Sequence, residues 1–334
     1  MDSRQQALIS WLQADSQLLF PQLAMMAGDA SFRRYFRVST ATASYVAMDA
    51  PPEKENNCQP FIAIAQSLRQ QGLQTPAIMA SNLEQGFLLL SDFGDRLYLH
   101  ELADHNAEQL YGVALSALAR LQHCQIQNWK IPFFTADFMY QELQLWKDWF
   151  LQKHVHLQLD AKTEKMLHAF FNFLAASAAS QPQVLMHRDF HSANLMVLPE
   201  DQVGILDFQD AFIGPVTYDL VSLLRDCYIA WPDVFVKKLV VEYKQKLPAL
   251  VNVSEIEFLR WFDLMGLQRH LKALLTFSRK FHRDQNANYL QHIPRTIQYV
   301  ANVAPLYPEC REFTIFLQSL VLPALEKVQT VCVQ

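Results

Sequence analysis

The sequence predicts an α+β fold in two lobes, a small antiparallel sheet followed by a larger, mostly helical body. The boundary falls near Asp92, so that residues 1–92 and 93–334 form the two parts. Two changes of pattern carry this reading. Up to Asp92, short runs rich in β-branched and aromatic residues (34–38, 45–48 and 87–90) alternate with a single helical stretch, 60–71, closed by Gly72. Beyond Gly94 the apolar residues recur at helical spacing, and Leu110, Val113, Ala114, Ala117, Leu118 and Leu121 share one face. With 334 residues, 51% of them hydrophobic, the chain has enough apolar material for a core in each part.

Start signals place the helices of the larger part. Asp137 stands where it can cap a helix carrying Leu143, Trp146, Trp149 and Phe150, aromatics read as packing rather than ligand stacking. Ser254 and Glu257 spell a capping box that opens a helix through Leu275. The helical regime is interrupted once, by the short apolar runs 184–186, 195–197 and 204–208. Short strands inside a helical body can hold a loop rigidly, which suits side chains that must be fixed in space for chemistry.

Composition excludes several classes of function. A formal net charge of −5 gives no electrostatic reason to expect a nucleic acid, whose binding is driven by phosphate neutralisation. A phosphate-bearing small molecule remains compatible, because Mg2+ and a few placed donors neutralise it locally. The five cysteines are widely spaced and contain no CxxC pair, as expected of free thiols in a reducing compartment. No apolar run is long enough to span a bilayer and the first residues lack a continuous apolar stretch. The expectation is a cytoplasmic protein with a small-molecule substrate, no nucleic acid, no membrane and no obligate protein partner.

The chemistry concentrates between residues 187 and 210. Residues 187–194 read HRDFHSAN, and a strand-turn-strand spacing later comes LDFQD, with Asp207 ending an apolar run. This order matches the kinase pattern H-x-D-x-x-x-x-N followed by a strand-terminal Asp, and it makes the predicted fold protein-kinase-like. Asp189 suits the role of base, accepting a hydrogen bond from an acceptor hydroxyl. Asn194 and Asp207 offer the hard oxygen ligands that Mg2+ prefers. His187 is read as a buttress of the loop, and His191 as either an acceptor contact or a solvent-facing residue. Asp219, in YDLVSLLRD, begins a helix and either anchors the loop amides or acts as a simple cap.

The nucleotide side is less distinct. Asp92, Phe93 and Gly94 spell DFG but precede the catalytic loop, so their position says hinge, and the backbone of Leu90, Ser91 and Asp92 is placed to read an adenine edge of ATP. Ser31, Phe32, Arg33 and Arg34 lead into the strand 35–38 and are the candidates for phosphate contact. Arg33 and Arg34 point to opposite faces of a strand, so at most one enters the site.

The chain resembles the aminoglycoside phosphotransferase and choline kinase-like family, whose HGDxHxxN loop corresponds to His187 through Asn194. The segments GDASFRRYFRV, LLLSDFGD, HRDFHSANLM, GILDFQDAFIGPVTYDLVSLLRD and MGLQRHLKALLTFSR are, within it, similar to the anomeric kinases of N-acetylmuramate and N-acetylglucosamine. The resemblance implies ATP-dependent phosphorylation of an amino sugar to its 1-phosphate, with Asp189 as base and Asn194 and Asp207 on Mg2+. It also implies a cation for the lactyl carboxylate of N-acetylmuramate, for which Arg225, Arg269, Lys272 and Arg279 are available; Asp210 and Asp226 are candidates for the sugar hydroxyls, or for caps and salt bridges. The family's strand lysine has no counterpart, since Ala47-Met48-Asp49 stand there, and Lys54, Arg33 or Arg34 would have to supply the charge. Another alcohol as acceptor, or a nucleotide-binding module without turnover, are the rival expectations.

Overall fold

In a computed structural model of the protein, residues 2–14, 18, 21–26, 33–53, 58–200 and 202–332 are described, with side chains through 328. They divide into two units, one of Met1–Val113, Cys124–Ile131 and Asn194–Asp210, the other of Ala114–His123, Pro132–Ala193 and Ala211–Gln334. The first unit therefore runs past Asp92 and takes back a later segment, for a reason visible in its hydrogen bonds.

The first unit is built on a five-stranded sheet: β1 (Gln22–Met25), β2 (Arg34–Ser39), β3 (Ser44–Asp49), β4 (Ile78–Asn82) and β5 (Phe87–Ser91), in the order β1-β2-β3-β5-β4. Every neighbouring pair is antiparallel. Helix α1 (Ser3–Ala14) buries Leu8, Trp11 and Leu12, spaced by three and one, against Phe36, Val38, Ala47, Phe87 and Leu89 of the sheet. Helix α2 (Gln59–Gln70) carries Pro60 near its start, where the missing N–H costs nothing. The β4–β5 turn needs Gly86: its φ is +72°, its carbonyl accepts the Ala50 amide at 2.9 Å, and a Cβ there would collide with the Ala50 carbonyl oxygen.

Two helices, α3 (Tyr98–Glu101) and α4 (Ala107–His123), follow. The later segment of this unit is a hairpin, β7 (Leu195–Leu198) and β8 (Gln202–Ile205), in register Leu195 with Ile205. It is stitched to the earlier chain by Val197 N–H to Arg96 O and Ile205 N–H to Gln74 O, both 2.7 Å. Gly204 lies beneath Phe93, and a Cβ at 204 would approach Phe93 Cδ2 to 2.7 Å. Phe93 thus covers the hairpin, a packing role that explains its place in the DFG string.

The second unit is helical. Its helices are α5 (Ala136–Trp146), α6 (Ala161–Ala179), α7 (Tyr218–Leu224), α8 (Asp233–Gln245), α9 (Glu255–Asp284), α10 (Ile293–Val303), α11 (Arg311–Phe316) and α12 (Leu322–Cys332). The cap of α5 is Thr135, whose hydroxyl accepts the Phe138 amide at 3.2 Å, and Asp137 sits inside the first turn rather than at the cap. A hydroxyl two residues earlier wins because Thr135 holds the extended backbone that a cap requires. After Trp146 the helix widens into a π-helical stretch, Lys147–His154.

Ser254 caps α9 through the Glu257 amide as expected, but the helix continues nine residues beyond Leu275, to Asp284, where Gln285 turns it off in the left-handed region. The core of this unit joins Leu143, Trp146, Phe150, Phe171, Leu271 and Phe313. Two short strands, β6 (Gln183–Met186) and β9 (Phe212–Pro215), pair antiparallel and frame the loop that begins at His187.

Candidate functional site

Strand β6 ends at Met186, and the polypeptide then turns through His187, Arg188 and Asp189. Asp219, in the first turn of α7, accepts the His187 amide at 2.6 Å and the Arg188 amide at 2.9 Å. Burial raises its carboxyl to about 6, against the pull of those amides and of His187. The His187 ring meets Phe190 edge-on, with centroids 5.7 Å apart, and Arg188 has the strained φ of +81°. The Arg188 side chain reaches Glu142 at 2.9 Å and stacks over Phe212 and Phe138.

Asp189 is thereby presented at the tip of a braced turn, with a third of its side chain exposed (33%). Burial works against its ionisation, but Lys272, His191, Arg269 and Arg188 outweigh that and hold the carboxyl far below the ordinary aspartate value. Lys272 of α9 pairs with it, its Nζ 3.5 Å from Oδ1 of Asp189. The aspartate in turn keeps Lys272 charged despite its burial. The sequence offered Lys272 only as one of several cations; the missing signal was the register of α9 against the loop.

Farther along the loop, the Ser192 amide and hydroxyl both donate to Asp226. His191 stacks edge-on against Tyr228 with centroids 5.2 Å apart, its Nδ1 buried without a hydrogen-bond partner. Burial lowers its pKa, against the pull of Asp226 and Asp189.

Asn194 and Asp207 belong to the sheet-bearing unit, at the two ends of the β7–β8 hairpin. The Leu206 amide donates to the Asn194 carbonyl at 3.0 Å, which continues the ladder one step and brings the residue before Asp207 alongside Asn194. Asp207 is exposed, has φ of +59°, and receives Gln209 Nε2 at 2.6 Å on one oxygen. A carboxylate and an amide are hard oxygen donors that suit Mg2+, and Asp207 and Asn194 would hold it through those oxygens. Among the described residues no three His, Cys, Asp or Glu side chains gather as an all-protein metal cage.

Several expected contacts are differently employed. Arg34 lies on the α1 face of the sheet. Its Nη2 is 2.6 Å from Asp49, it also pairs with Asp2, and Arg4 of α1 grips the same Asp49. Asp49 is completely buried, so the two arginines neutralise it and pin α1 to the sheet. Arg33 directly precedes β2; Ser31, Phe32 and Lys54 lie outside the described residues. At the strand end, Ser91 spends its amide and its hydroxyl on Ala77, and the Asp92 carboxylate holds Arg37, Ser44 and the Gly94 amide. Leu90 is buried in the β3–β5 ladder.

Arg225 is 5% exposed; it pairs with Asp263 at 2.7 Å and covers Phe262, and its burial in α7–α9 packing leaves no face for a ligand. Asp226 is consumed by Ser192 and Tyr228. Arg269, also buried, lies 4.0 Å from Cys227 Sγ with its Nε unpartnered. Asp210 is exposed on the sheet-bearing unit, whereas His191, Arg225, Asp226 and Arg269 all belong to the helical one.

An α+β chain with a braced aspartate loop followed by an Asn/Asp hairpin is that of a phosphoryl-transfer enzyme, and residues 24–254 match the phosphotransferase enzyme family, to which the chain belongs. It is 39% identical over 334 residues to the N-acetylmuramate/N-acetylglucosamine kinase of Pseudomonas aeruginosa, covering 96% of this chain and 97% of the relative. The kinase of the same name from Neisseria meningitidis is 35% identical over 333 residues, covering 95% and 96%. Among solved structures, the fold is shared with the choline kinase LicA from Streptococcus pneumoniae (TM-score 0.62, 14% identity, 89% of this chain and 99% of that one). It is shared equally with ADP-bound aminoglycoside phosphotransferase APH(2'')-Ib (TM-score 0.62, 15% identity, 90% and 98%). No helix is long and apolar enough to cross a membrane among the described residues.

Proposed function

We propose that the chain transfers the γ-phosphoryl of ATP to the anomeric hydroxyl of N-acetylmuramate and N-acetylglucosamine, releasing ADP and the sugar 1-phosphate. The observation that supports it most is near-full-length similarity, at 39% identity, to a kinase of those two sugars. The chemistry of the loop agrees with that assignment. Asp189 accepts a hydrogen bond from the sugar hydroxyl and takes its proton as the new O–P bond forms and the bond to the β-phosphate oxygen breaks.

A carboxylate held so strongly ionised is a weak base, which suits a loose transition state in which the proton moves late and the main task is aiming the hydroxyl. Asp219, His187 and Asp226 keep the loop in place; His191 faces the acceptor. Asn194 and Asp207 would hold Mg2+, which supplies charge compensation on the phosphate oxygens when bound. The cations around Asp189 disfavour a cationic alcohol such as choline, which requires an aromatic or acidic cage. ADP release with a panel of neutral, anionic and cationic alcohols tests the assignment: turnover confined to the two amino sugars supports it, and turnover of choline or an aminoglycoside instead refutes it.

A further inference from the structure

Helix α9 carries Arg269, Lys272 and Arg279 along its middle and later turns, Arg269 buried and the other two half-buried. The seven residues from Lys272 to Arg279 make two turns less about 20°, which puts both on one face about 10 Å apart along the axis. Two of the three cations have partners in the protein: Arg269 is enclosed beside Cys227, and Lys272 is matched to Asp189. Arg279 differs. Its Nε is buried with no hydrogen-bond partner, and among the described residues its guanidinium has no ion pair. The acids in its field pair with other cations, Asp284 with Arg283 and Lys280, and Glu142 through Oε1 with Arg188. Burial and the like charge of Arg283 both work against its ionisation. A half-buried guanidinium with no ion pair of its own gains most from an anion brought by a ligand.

We propose that Arg279 is the specificity-determining residue for an acidic acceptor, its guanidinium receiving the carboxylate of a sugar acid whose reacting hydroxyl lies at Asp189 beside Lys272. This rests on the kinase reading above and sharpens it. N-acetylmuramate differs from N-acetylglucosamine by a carboxylate-bearing ether, and Arg279 is the group that tells them apart. The planar fork of arginine matches a carboxylate in two parallel hydrogen bonds, which a lysine cannot reproduce.

Calorimetric titration of both sugars, without nucleotide, into wild type, Arg279→Met and Arg279→Lys tests this directly. Wild type binds the acid more tightly than the neutral sugar. Arg279→Met weakens the acid about ten-fold and the neutral sugar less than about two-fold, and Arg279→Lys falls between. Rising salt weakens acid binding to wild type selectively, an arm that needs no variant. Equal weakening of both sugars by Arg279→Met, or no acid preference in wild type, overturns the proposal. Failure of the kinase reading looks different: wild type then binds the sugars with this discrimination yet releases no ADP.

Discussion

Asp226 accepts both the backbone amide of Ser192, at 2.9 Å, and its hydroxyl, at 2.5 Å. A residue just beyond α7 thus fixes the centre of the loop whose beginning Asp219 fixes from within α7. Two buried carboxylates from one short helix and its exit brace both ends of the stretch that carries Asp189, which is why a loop can act as a rigid platform.

Asp226→Ala leaves the Ser192 donors unsatisfied and is expected to cost about 3 kcal/mol of stability. Transfer slows with it, but the preference between the two sugars stays as in wild type. Urea denaturation and steady-state ADP release check the two halves; a selective loss of one sugar would return Asp226 to the acceptor site.

Asp189→Ala is expected to lower transfer about 10³-fold while leaving the affinity for ATP nearly unchanged, because it removes the group that aims and deprotonates the hydroxyl. Asp207→Ala weakens Mg2+-dependent nucleotide binding as well. Rapid-quench rates paired with nucleotide titrations separate the two; the same mild loss in both variants contradicts the roles given to them.

Arg225→Met leaves Asp263 charged and buried, and is expected to cost about 3–5 kcal/mol, whereas the double variant with Asp263→Leu recovers much of the loss. Chemical denaturation of the two single variants and the double variant gives the coupling. No coupling would mean that the pair contributes nothing and that Arg225 is free for another task.

What the sequence made legible was local. The string HRDFHSAN, the strand-terminal Asp207 and the Ser254 cap are each complete within a few residues. What stayed hidden was every partnership across long stretches of chain. Arg34 reads as a phosphate contact until Asp49 and Asp2 claim it, Arg225 and Asp226 read as acceptor contacts until Asp263 and Ser192 do, and Lys272 gains meaning only when α9 is packed beside the loop. Helix α1 was not legible either, since Leu8, Trp11 and Leu12, in a stretch of mixed polar and apolar residues, become a buried face only against the sheet. The placement of Arg34 follows from strand alternation, but which face α1 covers does not.

Acid should destabilise the helical unit. His270, buried with its Nε2 2.9 Å from the Arg225 carbonyl, is held down to about 3 by burial, and His154, beside His282, to about 4 by burial and its histidine neighbours. Both stay neutral in the folded state while the unfolded chain takes up protons near 6.5, so stability is full above that pH and declines as pH falls toward 4. Between pH 7 and 5 the loss for His270 is on the order of 2 kcal/mol. Denaturation midpoints across that range check it; a His270→Gln variant that keeps the full slope assigns the effect elsewhere.

The most direct test of the account is a phosphorus NMR time course with ATP, Mg2+ and N-acetylmuramate. The account predicts that the γ-phosphate signal declines as ADP and an anomeric phosphate doublet, coupled to the sugar H1, grow together, and that Asp189→Ala abolishes both. A product phosphorylated at another hydroxyl, or ADP appearing with inorganic phosphate alone, would contradict it.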